Sequence, residues 1–228
     1  MRNGCSRYDG AMPLALFDLD GTLIDQASAA SQWAAEFGSM HSLTTDQIGA
    51  VAAKLAQRRS KEQVFREIAD ELGLDDDPLR IWADYRRRMP ELVTCTDDVV
   101  DSLSALRAAG WTIGIVTNGE VDNQAGKILR TGLAEAVDGW VISAEAGVRK
   151  PDPAIFALAA RRLGVPLRGW MVGDGHESDV AGGAAAGLRT AWIAGGDADT
   201  PASIATITAV DVPAAVAHIL VSADAVLD

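Results

Sequence analysis

The chain has 228 residues, 48% of them hydrophobic, a formal net charge of −12 at pH 7 and an isoelectric point near 4.6. That length and apolar content bury a good core and exclude a disordered chain, while the acidic balance excludes nucleic acid or an anionic membrane as main partner, since either needs a basic face. Two cysteines, Cys5 and Cys95, are too few for a disulfide framework and predict free thiols in a reducing compartment. Met1 to Met12 are polar, and nowhere do about 18 apolar residues run uninterrupted, which predicts a cytoplasmic protein without a membrane segment.

Leu14–Phe17 is the first short apolar run and reads as a strand buried on both faces, of the parallel type. It closes on Asp18-Leu19-Asp20-Gly21-Thr22. Side chains two residues apart point to one side of an extended segment, so the two carboxylates repel until a metal or a proton intervenes. Gly21 lets the chain turn away from them. From Asp25 to about Cys95 no strand is predicted, only helices at Ala27–Phe37, Thr45–Gln57, Lys61–Leu72 and Pro78–Met89. Thr44-x-x-Gln47 and Ser60-x-x-Gln63 read as capping boxes, and Pro78 and Pro90 bound the last helix.

Beyond this interval, helices and strands alternate. Helices are predicted over Asp97–Ala109, Asp122–Leu129, Pro153–Leu163 and Asp179–Ala186, with strands at Thr112–Val116, Trp140–Ile142, Trp170–Val172 and Thr190–Ile193. Gly110, Gly132, Gly164 and Gly187 supply the helix stops, and Pro213–Val221 reads as a closing helix. The class is α/β: a Rossmann-like parallel sheet flanked by helices, formed by residues 1–25 and 95–228, with a small α-helical domain, residues 26–94, inserted after the first strand.

Ligands of open α/β sheets bind at the strands' carboxyl ends, and three of these ends carry reactive groups. The second strand closes on Thr117-Asn118-Gly119, and the fourth on Gly173-Asp174-Gly175-His176-Glu177-Ser178-Asp179. Lys150, in Arg149-Lys150-Pro151-Asp152-Pro153, stands just ahead of a helix start. Together with the Asp18–Thr22 turn, these segments resemble, in order and spacing, the four motifs of the haloacid dehalogenase-like hydrolase superfamily, over roughly Leu14 to Ile193.

The resemblance points to the phosphatase branch with a helical cap, in which the inserted helices enclose and select the substrate. Residue by residue, it implies that Asp18 is the nucleophile forming an aspartyl-phosphate and that Asp20 is the general acid/base. Thr117, Asn118 and Lys150 would bind the phosphate. Asp18, the main-chain carbonyl of Asp20 and Asp174 would hold a metal, with Asp179 in support through a helix cap or a water-mediated contact. The residue chemistry suits these roles, because a hydroxyl, an amide and an ammonium stabilise the charge that gathers on the equatorial oxygens. Hard oxygen donors without a nearby set of Cys or His ligands suit Mg²⁺.

The expected function is a Mg²⁺-dependent phosphomonoester hydrolase acting on a small phosphorylated metabolite, as a monomer or homodimer. The alternatives are a sugar-phosphate mutase using the same Asp18 and Asp20, or a non-catalytic phosphate-binding module. Dehalogenation is disfavoured, since it needs neither the second acid nor a metal. His41, His176 and His218 lack metal-ligand spacing and read as solvated or core residues. Arg58-Arg59 and Arg86-Arg87-Arg88 read as solvated helix faces, with recognition of a second acidic group on the substrate as the alternative. Trp111, Trp140, Trp170 and Trp192 read as core; Trp33 and Trp82, on the inserted helices, are candidates for lining the pocket.

Overall fold

All four residues of β1 (Leu14–Phe17) are buried, because both faces of the sheet they enter are covered. Ala15 and Phe17 point into one apolar layer, Leu14 and Leu16 into the other, following the two-residue period of a strand. The computed structural model describes residues 12–57, 59–194 and 204–224; Met1–Ala11, including Cys5, and Arg58 lie outside the described residues. Beside β1 stand β2 (Thr112–Thr117), β3 (Gly139–Ile142), β4 (Gly169–Gly173), β5 (Arg189–Ile193) and β6 (Ile207–Ala209). The order is β3-β2-β1-β4-β5-β6, and every pairing is parallel. Phe17 lies opposite both Ile115 and Val172, so the chain leaves β1, β2 and β4 at one edge, on either side of the point where the strand order reverses.

Between β1 and β2 lie α1 (Gln26–Met40), α2 (Thr45–Ala56), α3 (Lys61–Leu72), α4 (Pro78–Leu92) and α5 (Asp97–Ala108). After β2 come α6 (Val121–Arg130) and the single turns α7 (Leu133–Ala136) and α8 (Ser143–Ala146). The remainder are α9 (Pro153–Leu163), α10 (Gly182–Ala185) and α11 (Val212–Asp224). Buried residues of α5, α6, α7 and α11 cover the Phe17 face, and those of α9 cover the Leu14 face. The four glycine stops all have positive φ. Among the described residues no helix is long and apolar enough to cross a membrane.

Several sequence expectations are corrected. The helix expected over Asp179–Ala186 is instead a wide π-type turn, His176–Ala181, followed by α10. Its widening shows in the bond from Val180 N to Gly175 O, 3.2 Å, which spans five residues. Pro90 does not end α4: it lies near the helix terminus, where one lost N–H costs little, and it packs on Gly126 of α6, whose missing side chain leaves the room. Thr44 and Gln47 form the expected capping box, whereas the Ser60 side chain makes no cap bond. The strand β6 and the turns α7 and α8 are too short to leave a periodic signal.

Helices α1, α3 and α4 share an aromatic cluster. Trp33 stacks on Phe37 at 4.8 Å and meets Phe65 and Tyr85 edge-on at 5.6 and 5.2 Å. Trp33 is 1% exposed, so it belongs to this core and lines no pocket. Trp82 is partly buried with the Arg86 guanidinium 4.7 Å from its ring, and Arg86 also faces Glu120 and Asp122 at 3.6 and 3.7 Å. Arg59, Arg87 and Arg88 pair with Glu67, Asp84 and Glu36. The segment leaves and returns at one place, where Asp25 N donates to Thr94 O at 3.1 Å.

Trp33→Ala is expected to lower the unfolding free energy by about 3–5 kcal/mol in chemical denaturation, the cost of an unfilled aromatic cavity. A loss below about 1 kcal/mol would contradict its role as the centre of this cluster.

Candidate active site

The buried ends of β1 and β4 bring Asp18, Asp174 and Asp179 together: a carboxylate oxygen from each lies within 4.8 Å of the others. Between them stands Lys150, 3% exposed, whose Nζ is 2.7 Å from both Asp18 Oδ1 and Asp179 Oδ1. The other oxygen of Asp179 accepts from Gly175 N at 2.8 Å, which ties the wide turn to the residue just ahead of it. The Asp174 backbone is held at its N–H and at its carbonyl. Its N–H donates to Thr22 Oγ1 at 3.1 Å, and its carbonyl accepts from Trp192 Nε1 at 3.1 Å.

Gly21 shows why this loop needs a glycine. Its φ is +78°, and a Cβ there would lie 2.3 Å from Asp174 Oδ2. The first motif therefore makes room for the fourth.

The Asn118 side chain orients the lysine's backbone: its Nδ2 donates to Lys150 O at 3.0 Å and its Oδ1 accepts from Lys150 N at 2.9 Å. Thr117, 1% exposed, accepts at Oγ1 from Gln124 Nε2 at 2.6 Å. Asp20 stands apart from the Lys150 cluster: its oxygens meet Lys127 Nζ at 2.8 Å and Gln124 Nε2 at 3.1 Å. Neither α6 residue is visible as a site residue in the sequence, where a lone glutamine and lysine on a polar helix read as solvated. A faint signal exists in their spacing, since both fall on the stripe that carries the buried Ile128.

The family model described as haloacid dehalogenase-like hydrolase matches residues 12–187. The chain belongs to the haloacid dehalogenase-like hydrolase family. It is similar to the pyrimidine 5'-nucleotidase YjjG of Escherichia coli, 39% identical over 62% of each chain, and so spans less than two thirds of that relative. It is also similar to a glyceraldehyde 3-phosphate phosphatase of Methanopyrus kandleri, 30% identical over 78% of this chain and 82% of that protein. Among solved structures, a HAD phosphatase from Thermococcus onnurineus matches with a TM-score of 0.64 and 25% identity, covering 88% of this chain and 94% of that one.

Within this haloacid dehalogenase-like site the charges are unequal. Burial pushes the Asp18 carboxyl up to about 7; Lys150 pulls it down, and the charges of Asp179 and Asp174 push it up. Desolvation pulls the Lys150 ammonium down, but Asp179 and Asp18 outweigh it and hold it above its ordinary value. Three carboxylates against one ammonium leave an excess of negative charge. Together with the Gly21 cradle, this all-oxygen donor set fits a hard divalent cation.

A carboxyl raised by folding contributes stability that is full below its unfolded value near 4 and is lost as pH rises through about 7. In metal-free protein Asp18→Asn, which mimics the protonated acid, is therefore expected to raise Tm relative to wild type at pH 8 and to leave it nearly unchanged at pH 5. Equal shifts at the two pH values would contradict the assignment.

Proposed function

We propose that the chain is a Mg²⁺-dependent phosphomonoester hydrolase that acts on a small phosphorylated metabolite through an aspartyl-phosphate. The observation that carries this reading is the convergence on one sheet edge of a carboxylate held by a buried lysine, Asp18 with Lys150, and a second, separately oriented carboxylate two residues on. Asp18 attacks phosphorus while the ester oxygen departs with a proton from Asp20; water then gives a proton to Asp20 and attacks phosphorus, breaking the acyl–phosphate bond and restoring Asp18. Lys150 and Thr117 stabilise charge on the transferring group, and Asn118 holds the Lys150 backbone.

Asp18, Asp174 and the Asp20 carbonyl would hold Mg²⁺, which when bound neutralises phosphate charge and relieves the carboxylate excess. Asp179 orders the loop that presents Asp174. Residues 26–94 act as the cap over the strands' carboxyl edge, excluding water and selecting the substrate. Relatives named for nucleotide and three-carbon phosphate substrates support the class of substrate and do not narrow it. A cytoplasmic setting belongs to the same reading, supported by Cys95, a free thiol among the described residues.

Phosphate release from a panel of sugar phosphates, nucleotides and phosphorylated small acids is expected to need Mg²⁺, to stop in EDTA, and to fall at least about a thousandfold in kcat in Asp18→Asn. Turnover within about tenfold of wild type in that variant, or indifference to EDTA, would overturn the reading.

A further inference from the structure

Lys127 has no part in the reaction described above, yet its side chain is among the largest that the fold buries completely, at 1% exposure. An ammonium removed from water needs an anion and further acceptors, and an apolar side chain of the same length would fill the space at less cost. The anion is Asp20, whose Oδ1 lies 2.8 Å from Lys127 Nζ. The other oxygen of Asp20 accepts from Gln124 Nε2 at 3.1 Å.

Gln124 and Lys127 stand three residues apart and so share one face of α6. Each takes one oxygen of the carboxylate. The second hydrogen of the Gln124 amide serves Thr117 Oγ1 at 2.6 Å, which anchors this arm to the end of β2. Lys127 also donates to Gln26 Oε1 at 3.0 Å, and Gln26 Nε2 donates to Tyr85 OH at 2.9 Å. That arm reaches the first residue of α1 and the buried aromatic cluster of α4. A single carboxylate on a turn otherwise has several staggered rotamers open to it, each aiming its oxygens elsewhere. Held at both oxygens, Asp20 keeps one, while 29% of its side chain stays exposed.

We propose that Lys127 is a positioning residue: with Gln124 it clamps the Asp20 carboxylate in its working direction, and through Gln26 and Tyr85 it ties that direction to the seating of α1 and α4 on the sheet. The proposal rests on the phosphomonoester hydrolase reading, in which Asp20 carries the proton.

The test is a double-mutant cycle in kcat with Lys127→Met and Asp20→Asn, together with kcat/KM for p-nitrophenyl phosphate and for an alkyl phosphate from the panel. Lys127→Met is expected to lower kcat about 10- to 100-fold with KM within about twofold, and to add nothing once Asp20 is Asn. Its loss in kcat/KM is expected to be smaller for p-nitrophenyl phosphate, whose leaving group needs little help from an acid, than for the alkyl ester. Additive losses in the cycle, equal losses on both esters, or a kcat within about threefold of wild type would overturn the role. Lys127→Gln serves where the methionine variant does not fold; failure of both to fold would assign Lys127 to folding and overturn the proposal. An unimpaired Asp20→Asn, or a wild type that releases no phosphate, would remove the hydrolase reading and this proposal with it. An impaired Asp20→Asn beside an unimpaired Lys127→Met removes this proposal alone.

Discussion

Lys150 sits 2.7 Å from each of two buried carboxylates, with a third close by, in surroundings where little water is left to screen them. Unlike charges at that distance attract strongly in a poorly solvated site, and like charges repel as strongly. Much of the local structure serves to hold this cluster together. Asn118 grips the lysine's backbone from both sides, Gly175 answers the far oxygen of Asp179, and Thr22 and Trp192 set Asp174 from two directions. These supports come from different strand ends, so the cluster exists only when the parallel sheet is in register.

The sheet provides rigidity and α6 provides the connection. One face of α6 carries Gln124 and Lys127 toward Asp20; at Gly126 it lets Pro90 of α4 approach closely. The helices α1 to α4 are thus joined to the sheet edge by an apolar layer that runs through Leu19, Leu23 and Ile24, and by a polar chain from Tyr85 through Gln26 and Lys127 to Asp20.

Strands buried on both faces are mostly apolar, and for that reason β1, β2 and β4 were legible from the residues, as was the alternation of the longer helices and strands. Helix α9 could be read to the residue because a proline opens it and a glycine in the left-handed region closes it. The clustering of Asp18, Lys150, Asp174 and Asp179 was legible through the motifs. What was hidden depends on tertiary partners. No local rule says that Asn118 turns toward a lysine backbone, that the Asp179 loop widens by one residue, or that Lys127 is buried. The last of these depends on an ion pair with a residue 107 positions away, and the polar helix hints at it only through the shared stripe of Gln124, Lys127 and Ile128.

The central claim is that the phosphoryl group passes through the Asp18 carboxylate. The most direct measurement is acid quenching during turnover of a substrate from the panel, reduction of the quenched protein with borohydride, and peptide mass spectrometry. Asp18 phosphorylated at the quench is reduced to homoserine, and the account predicts that product at position 18 and at no other carboxylate, only when substrate is present. Steady turnover with no reduced carboxylate at position 18, or with the product at another residue, would contradict it.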